Sequence, residues 1–301
     1  MGSVVSTVNM KGGVGKTTLT VNLATCLAKY HGKKVLVIDL DSQINATLSL
    51  MMIPEYAKVR KKRYTLGYLV DRAIEPNPRK RITIRDIIIS SVCDIPGLDL
   101  LPGDIELYDE YIVSELLHRK ALEEKESNFE KVWDNFEKVL LKNILEPIAD
   151  EYDLIIIDCP PNYNLLTRSA IIASNFYLLP ARPEPLSVVG IQLLQKRIAK
   201  LKQNERVSSS IDIKMLGIVF ILSGGTLLGR YYRRIMKRVQ EDFGNEGLFQ
   251  TAIPMDVNVA KAVDMFKPAV LATPNSSGSK AFIKLTGEFL EKFQAKATEN
   301  K

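Results

Sequence analysis

Long apolar runs are missing from this sequence: even LIIID at 154–158 is only strand-length, far short of the ~20 residues a bilayer-spanning helix requires. No membrane span is therefore expected. Cysteine is scarce as well. Cys26, Cys93 and Cys159 lie far apart with no CxxC spacing, and no charged-then-apolar leader precedes the first strand, so a reduced cytoplasm is the simple setting. The two histidines, His31 and His118, are isolated and read as structural or exposed rather than catalytic. No Gly-, Ser- or Pro-rich linker divides the chain and no internal repeat is visible, so one domain is expected. The opening MGSVVS fits the N-myristoylation pattern at Gly2 and Ser6. Gly2, however, runs directly into a strand expected to be buried.

What is present describes an ordinary globular chain. Its 301 residues are 46% hydrophobic and 25% charged, with a net charge of +6, mildly favouring an anionic partner. SVVSTVN (3–9) is a β-rich run ending in a glycine loop, and TTLTVNLATCLAKY (17–30) follows with apolar residues at helical spacing. Further apolar runs occur at 34–41, 98–104, 152–161, 176–183, 213–222 and 249–254, mostly separated by amphipathic stretches. Continuous hydrophobic strands alternating with helices predict an α/β fold: a doubly wound, mostly parallel sheet with helices on both faces. Ligands of such folds bind beyond the carboxyl ends of the strands, where the glycine loop and several aspartates fall. Segments 54–95 and 106–146 look like elaborations between core strands. The second, with apolar residues at Leu116, Leu122, Phe129, Val132, Trp133, Phe136 and Leu140, is expected to be a surface helix or helical hairpin packed on the sheet.

The stretch NMKGGVGKTT (9–18) is almost a phosphate-binding loop. The strict pattern requires glycine at position 10, but Met10 stands there and a second lysine, Lys11, follows it. Gly12, Gly13 and Gly15 allow a tight turn that aims backbone N–H groups at an anion, with Val14 between them and the N-terminus of the next helix adding its dipole. Lys16 is placed to neutralise β and γ phosphates, and the Thr17 hydroxyl, followed by Thr18, to bind Mg²⁺. Asp158, closing LIIID, stands where such a site needs a carboxylate for the Mg²⁺ shell. In VIDLDSQ, Asp39 and Asp41 are two apart at a strand end, where alternation points them the same way. One of them is suited to bonding the metal's waters and the other to positioning an attacking water.

KGGVGKTT, VLVIDLDSQINAT, LDLLPGD, LIIIDCPPN and AIPMDVNVAKA, in that order, resemble the ParA/Soj branch of the ParA/MinD family of deviant Walker ATPases, and the likeness covers nearly the whole chain. The resemblance implies ATP and Mg²⁺ as ligands. It implies a nucleotide sandwich homodimer in which Lys11 reaches across the two-fold axis to the partner's phosphates while Lys16 serves its own subunit. Thr17 and Asp158 then serve Mg²⁺, Asp39 joins the metal site, and Asp41 matches the aspartate needed for hydrolysis. Pro254 and Asp256 fall in the nucleotide-binding turn. Three features depart from the family pattern: Ser42 replaces a usual proline, Met255-Asp256 replaces a common Arg-Asn, and both elaborations are long.

GRYYRRIMKRVQEDFG (229–244), wound at about 100° per residue, gathers Arg230, Arg233, Arg234, Lys237 and Arg238 on one face. Tyr232, Ile235, Met236, Val239 and Phe243 lie opposite. Such a stripe suits duplex phosphates, and similar proteins carry DNA near the corresponding helix. No winged or helix-turn-helix module is expected ahead of the first strand, which favours non-specific DNA. The expected function is a positioning ATPase whose ATP-bound dimer associates with the nucleoid. A cargo-bound adaptor, ParB-like or carboxysome-adaptor-like, stimulates its hydrolysis. The alternatives are a MinD-like membrane-associated regulator, against which the ordinary last helix at 280–293 argues, and a metabolic P-loop ligase.

Overall fold

The computed structural model describes residues 2–75, 82–107, 110–123, 128–203, 211–221, 229–244 and 246–298. Six of the seven apolar runs form strands: β1 (Ser3–Thr7), β2 (Val35–Asp39), β3 (Leu98–Leu101), β4 (Leu154–Asp158), β5 (Phe176–Ala181) and β6 (Lys214–Phe220). They make one sheet in the order β3-β2-β4-β1-β5-β6, with every pairing parallel. Alternation sorts their side chains into two cores. Leu36, Ile38, Ile155 and Ile157 face one side, and Val35, Val37 and Ile156 face the other.

The run at 249–254 departs from the expectation of a strand. Only isolated bridges, Leu248 to Ile218 and Ile253 to Ile221, tie it to the sheet. The physical reason is a competing acceptor: the backbone N–H groups of Gln250 and Thr251 donate to the two carboxylate oxygens of Glu288 at 2.6 and 2.9 Å. A side chain thus satisfies the donors that a ladder would have used.

On one face lie α1 (Lys16–His31), α2 (Asn45–Leu50), α3 (Ile53–Lys61), α12 (Ala269–Ala272) and α13 (Ser277–Thr298). α1 ends at Gly32, whose left-handed backbone (φ 61°) lets its N–H reach the Ala28 carbonyl. Phe282 and Phe289 of α13 are fully buried against this face, each contributing about 2–3 kcal/mol of apolar transfer. The stripe of the last helix is therefore spent within the fold.

The other face carries α4 (Leu66–Ile74), α5 (Ile84–Ile87), α6 (Glu110–Glu123), α7 (Phe129–Leu145), α8 (Leu165–Ala173), α9 (Pro185–Gln203) and α10 (Gly229–Phe243). The helical hairpin expected from 106–146 is α6 with α7, and α7 packs on α8. The phase of α6 differs from the sequence reading. Val113, Leu117 and Ala121 are its buried positions, four residues apart, which leaves Leu122 79% exposed. The segment 54–95 folds as α3, α4 and α5, while its PNPRKR stretch (76–81) lies outside the described residues. Gly2 donates its N–H to the Ala149 carbonyl at 2.9 Å, and a Cβ there would meet the Tyr152 carbonyl oxygen.

Candidate functional site: a two-lysine phosphate loop

The glycine loop leaves the carboxyl end of β1 and opens directly into α1. Gly13 (φ 68°) and Gly15 (φ 88°) adopt left-handed backbone, and a Cβ on Gly15 would come within 2.6 Å of Ile221 Cδ1. Glycine is required there on both counts. Asn9 sets the loop's entry: its side-chain N–H donates to the Pro180 carbonyl at 2.8 Å, and its carbonyl oxygen accepts from the Lys11 N–H at 2.9 Å.

The two lysines have different surroundings. Lys16 is 7% exposed and donates to the Lys11 carbonyl at 3.2 Å. Burial pulls its pKa below the usual lysine value, with Asp158, Cys159 and Asp41 opposing that shift. Lys11 instead lies at the surface, its ammonium 2.6 Å from the Glu184 carboxylate, with both side chains about one-third exposed at 37% and 32%.

A cleft of about 700 Å³ gathers Gly12, Gly13, Val14, Gly15, Lys16, Thr17 and Thr18 with Asp41, Pro254 and Asp256. Beneath it, β2 and β4 place Asp39 and Asp158 in register as neighbours. The Thr17 hydroxyl donates to Asp158 at 2.6 Å and the Thr20 hydroxyl at 3.2 Å. Asp39 accepts from the Thr47 N–H at 2.7 Å and from the Asp41 N–H at 3.3 Å. Both carboxyls are held above the usual carboxylate range, first by burial, with their mutual repulsion adding to the effect on Asp158. Alternation therefore does not keep Asp39 and Asp41 equivalent. The strand ends at Asp39, and the chain then turns to leave Asp41 in the cleft wall, where its carboxylate accepts from the Gln43 N–H at 3.0 Å.

These donors fit Mg²⁺. A hydroxyl, Thr17, bonded to a buried carboxylate at the foot of a phosphate loop is the oxygen set this ion takes, because it binds through one or two carboxylates and completes its octahedron with phosphates and water. Two buried carboxyls side by side also lack a full countercharge, which a divalent cation supplies.

Sequence reasoning missed several supporting groups. Thr47 bridges the two halves of the site: its N–H donates to Asp39 and its hydroxyl accepts from the Gly103 N–H at 2.9 Å. A Cβ on Gly103 would crowd Asp39 at 3.0–3.2 Å, so the LPGD turn is part of the site. Arg182 lines the cleft and Glu184 holds Lys11. The signal for Glu184 was a charge in the loop after β5, without any spacing rule linking it to Lys11. Asp256 lines the cleft but its carboxylate is committed within the fold, accepting from the Asn258 and Gly278 N–H groups at 2.8 Å each and from the Ser277 hydroxyl at 2.9 Å. These donors hold its pKa well below the usual range. It caps α11 (Val257–Asp264) and ties that helix to α13.

Away from the cleft, Arg233, Arg234, Lys237 and Arg238 of α10 are all exposed while Ile235 and Val239 are buried. The amphipathic division expected for this helix is present. The side chain of Arg230 lies outside the described residues.

The family model described as an AAA domain matches residues 2–213. The sporulation initiation inhibitor protein Soj of Bacillus subtilis is 32% identical over 289 residues, covering 96% of this chain and 98% of its own. The solved cell division ATPase MinD of Pyrococcus furiosus superposes with a TM-score of 0.64 at 26% identity, covering 97% of this chain and all of that one. Cobyrinic acid a,c-diamide synthase of Mycobacterium smegmatis, solved with an ATP analogue and magnesium, gives a TM-score of 0.68 at 22% identity over 97% of this chain and 96% of its own. That likeness is one of fold, an architecture the chain shares with both a cell division ATPase and a diamide synthase. Sequence relatedness over the full chain, with the Lys11–Lys16 loop, decides between them: the chain belongs to the ParA/Soj branch of the ParA/MinD family of deviant Walker ATPases.

Proposed function

We propose that this protein binds ATP with Mg²⁺, dimerises in that state, and as a dimer binds DNA without sequence preference to position a cargo. The observation that carries the reading is the division of labour between the lysines. Lys16 is buried inside its own loop, whereas Lys11 points out of it and is held at the surface by Glu184. A surface ammonium at the loop's rim is placed to meet phosphates presented by a facing subunit. Burying triphosphates between two subunits requires compensating charge, and Lys11 supplies it only when ATP is present, so dimerisation reports the nucleotide state.

Within each subunit, Thr17 and Asp158 hold the Mg²⁺, with Asp39 behind them. The metal's chemistry is to neutralise charge on the β and γ phosphates. Asp41, in the cleft wall, orients the attacking water. Pro254 and the turn capped by Asp256 shape the nucleoside end of the cleft. Arg233, Arg234, Lys237 and Arg238, with Arg230 on the same face by sequence, contact DNA phosphates, and the dimer doubles the stripe. A cargo-bound adaptor stimulates hydrolysis and releases the dimer, which places the protein in the cytoplasm and, when ATP-bound, on the nucleoid. No helix among the described residues is long and apolar enough to cross a membrane. The burial of Phe282 and Phe289 by α13 removes that helix as a MinD-like surface anchor.

Random-sequence duplex binding, measured with Mg²⁺ and ATP, ADP or a slowly hydrolysed analogue while dimerisation is followed on the same samples, tests the reading. Triphosphate-dependent dimers that bind DNA support it. Dimers that ignore DNA at low salt but bind liposomes would replace it with the membrane-associated alternative.

A further inference from the structure

The two elaborations on the sheet build a second concavity that shares no residue with the nucleotide cleft. α4, α5, α6 and α7 wall a groove of about 770 Å³. Along α7 it is lined by Val132, Phe136, Val139 and Asn143, spaced four, three and four residues apart and so on one helix face. At 1.5 Å per residue this strip is about 16 Å long, or about three helical turns. Leu69 of α4 and Leu117 of α6 are buried beneath the opposite wall, while Val139 remains 40% exposed.

The charged side chains among its described lining residues are all basic. Arg72, Arg85, Lys120 and Lys131 line the groove, and none of its described lining residues is a carboxylate. Arg85 bonds Glu151, outside the lining, at 2.7 Å, and Arg72 donates to the Ile82 carbonyl at 2.6 Å. Each guanidinium carries five N–H donors in all, more than these contacts use. The neighbouring hollow on the other side of α7 is different in kind. It mixes Glu130, Asp134 and Glu137 with Arg168, Arg197 and Lys200 and is already satisfied internally by the Glu137–Arg168 pair.

We propose that the α4–α7 groove docks an amphipathic α-helix of about three turns from a partner protein, apolar on one face and flanked by Asp or Glu. Length, apolar floor and cationic edge together match a helix-in-groove mode, in which anchors at i, i+3/i+4 and i+7 fill the strip and acidic flanks meet the rim. The docking does not require the nucleotide site, so its test stands apart from the function proposed above.

The full chain is titrated against three fluorescein-labelled helical peptides that share one leucine stripe: one flanked by Glu, one flanked by Lys, and a scrambled form of the first. The Glu-flanked peptide is expected to bind about tenfold tighter than the others. Val139→Asp is expected to remove that binding, and the Lys120→Glu, Lys131→Glu double variant to reverse the charge preference. Both variants should retain the wild-type circular dichroism spectrum, and the double variant keeps the test decisive if Val139→Asp fails to fold. Equal binding of the Glu and Lys peptides, no binding of any peptide, or Glu-peptide binding unchanged in both variants would overturn the proposal. Binding of oleate in the absence of peptide binding would assign the groove to small anionic amphiphiles instead and overturn it equally.

Discussion

The Lys11 ammonium, at the start of the phosphate loop, lies 2.6 Å from the Glu184 carboxylate of its own subunit. With both side chains about one-third exposed, such a pair contributes about 0–1 kcal/mol. It orients the lysine without holding it firmly, so a facing triphosphate competes with it easily. Glu184→Gln is expected to leave thermal stability nearly unchanged and to shift ATP-dependent dimerisation to about threefold lower protein concentration, the equivalent of about 0.6 kcal/mol. Sedimentation over a concentration series checks this. Weaker dimerisation in the variant would mean that Glu184 helps the assembled state rather than restraining the free one.

The buried carboxyls beneath the cleft predict an unusual pH dependence. Because burial and Asp39 hold the Asp158 carboxyl above the usual range, the folded, nucleotide-free protein keeps a proton that the unfolded chain has lost. Stability from this group is present at low pH and is lost as pH rises through the folded value, with a slope of at most about 1.4 kcal/mol per pH unit. Asp158→Asn removes that loss. Its stability relative to wild type, measured without nucleotide, is expected to increase from about pH 5 to pH 8, while its Mg²⁺-dependent nucleotide binding falls. A pH-independent difference would remove the strained carboxyl from the description of the site.

The basic face of α10 makes a quantitative prediction in salt. Arg233→Ala with Arg234→Ala removes up to four phosphate contacts from a dimer, and each contributes about 0.9 to the slope of log affinity against log salt, so the slope should shrink by about 3–4. Dimerisation should stay as in wild type. An unchanged slope would reject this helix as the DNA surface.

Much of this molecule was legible in its sequence, for identifiable reasons. Six strands declared themselves because parallel strands buried on both faces read as continuous apolar runs, and the loop declared itself because GGVGKTT follows one strand and opens a helix. The run at 249–254 misled because nothing local shows that Glu288, far along the chain, takes the N–H groups of Gln250 and Thr251. Leu122 misled for a different reason: a hairpin helix with apolar residues at several phases is oriented by its partner, and α7 selected Val113, Leu117 and Ala121. Glu184 and Thr47 were invisible because their roles are contacts between segments distant in sequence, Glu184 with Lys11 and Thr47 with Gly103.

The same limit applies to Glu137 and Arg168, joined across α7 and α8 by Arg168 N–H groups donating to both carboxylate oxygens at 2.8–2.9 Å. Glu137 is only 6% exposed at its side chain. Removing it takes the carboxylate from a largely buried guanidinium that keeps only its contacts to Tyr163 and lesser partners, so Glu137→Ala should destabilise the protein by about 3 kcal/mol. Trp133, the chain's sole tryptophan, lines the same hollow and reports the unfolding directly. A loss below about 1 kcal/mol would show that the pair behaves as a surface contact.

Dimerisation of wild type and Lys11→Ala, compared at equal ATP occupancy with Mg²⁺, tests the central claim most directly. The expected result is that wild type dimerises with triphosphate and not with ADP, while Lys11→Ala binds ATP and remains monomeric, because its own loop keeps Lys16 but offers no charge to a partner. Equal dimerisation by Lys11→Ala, or loss of ATP binding in that variant, would contradict a lysine that serves the facing subunit.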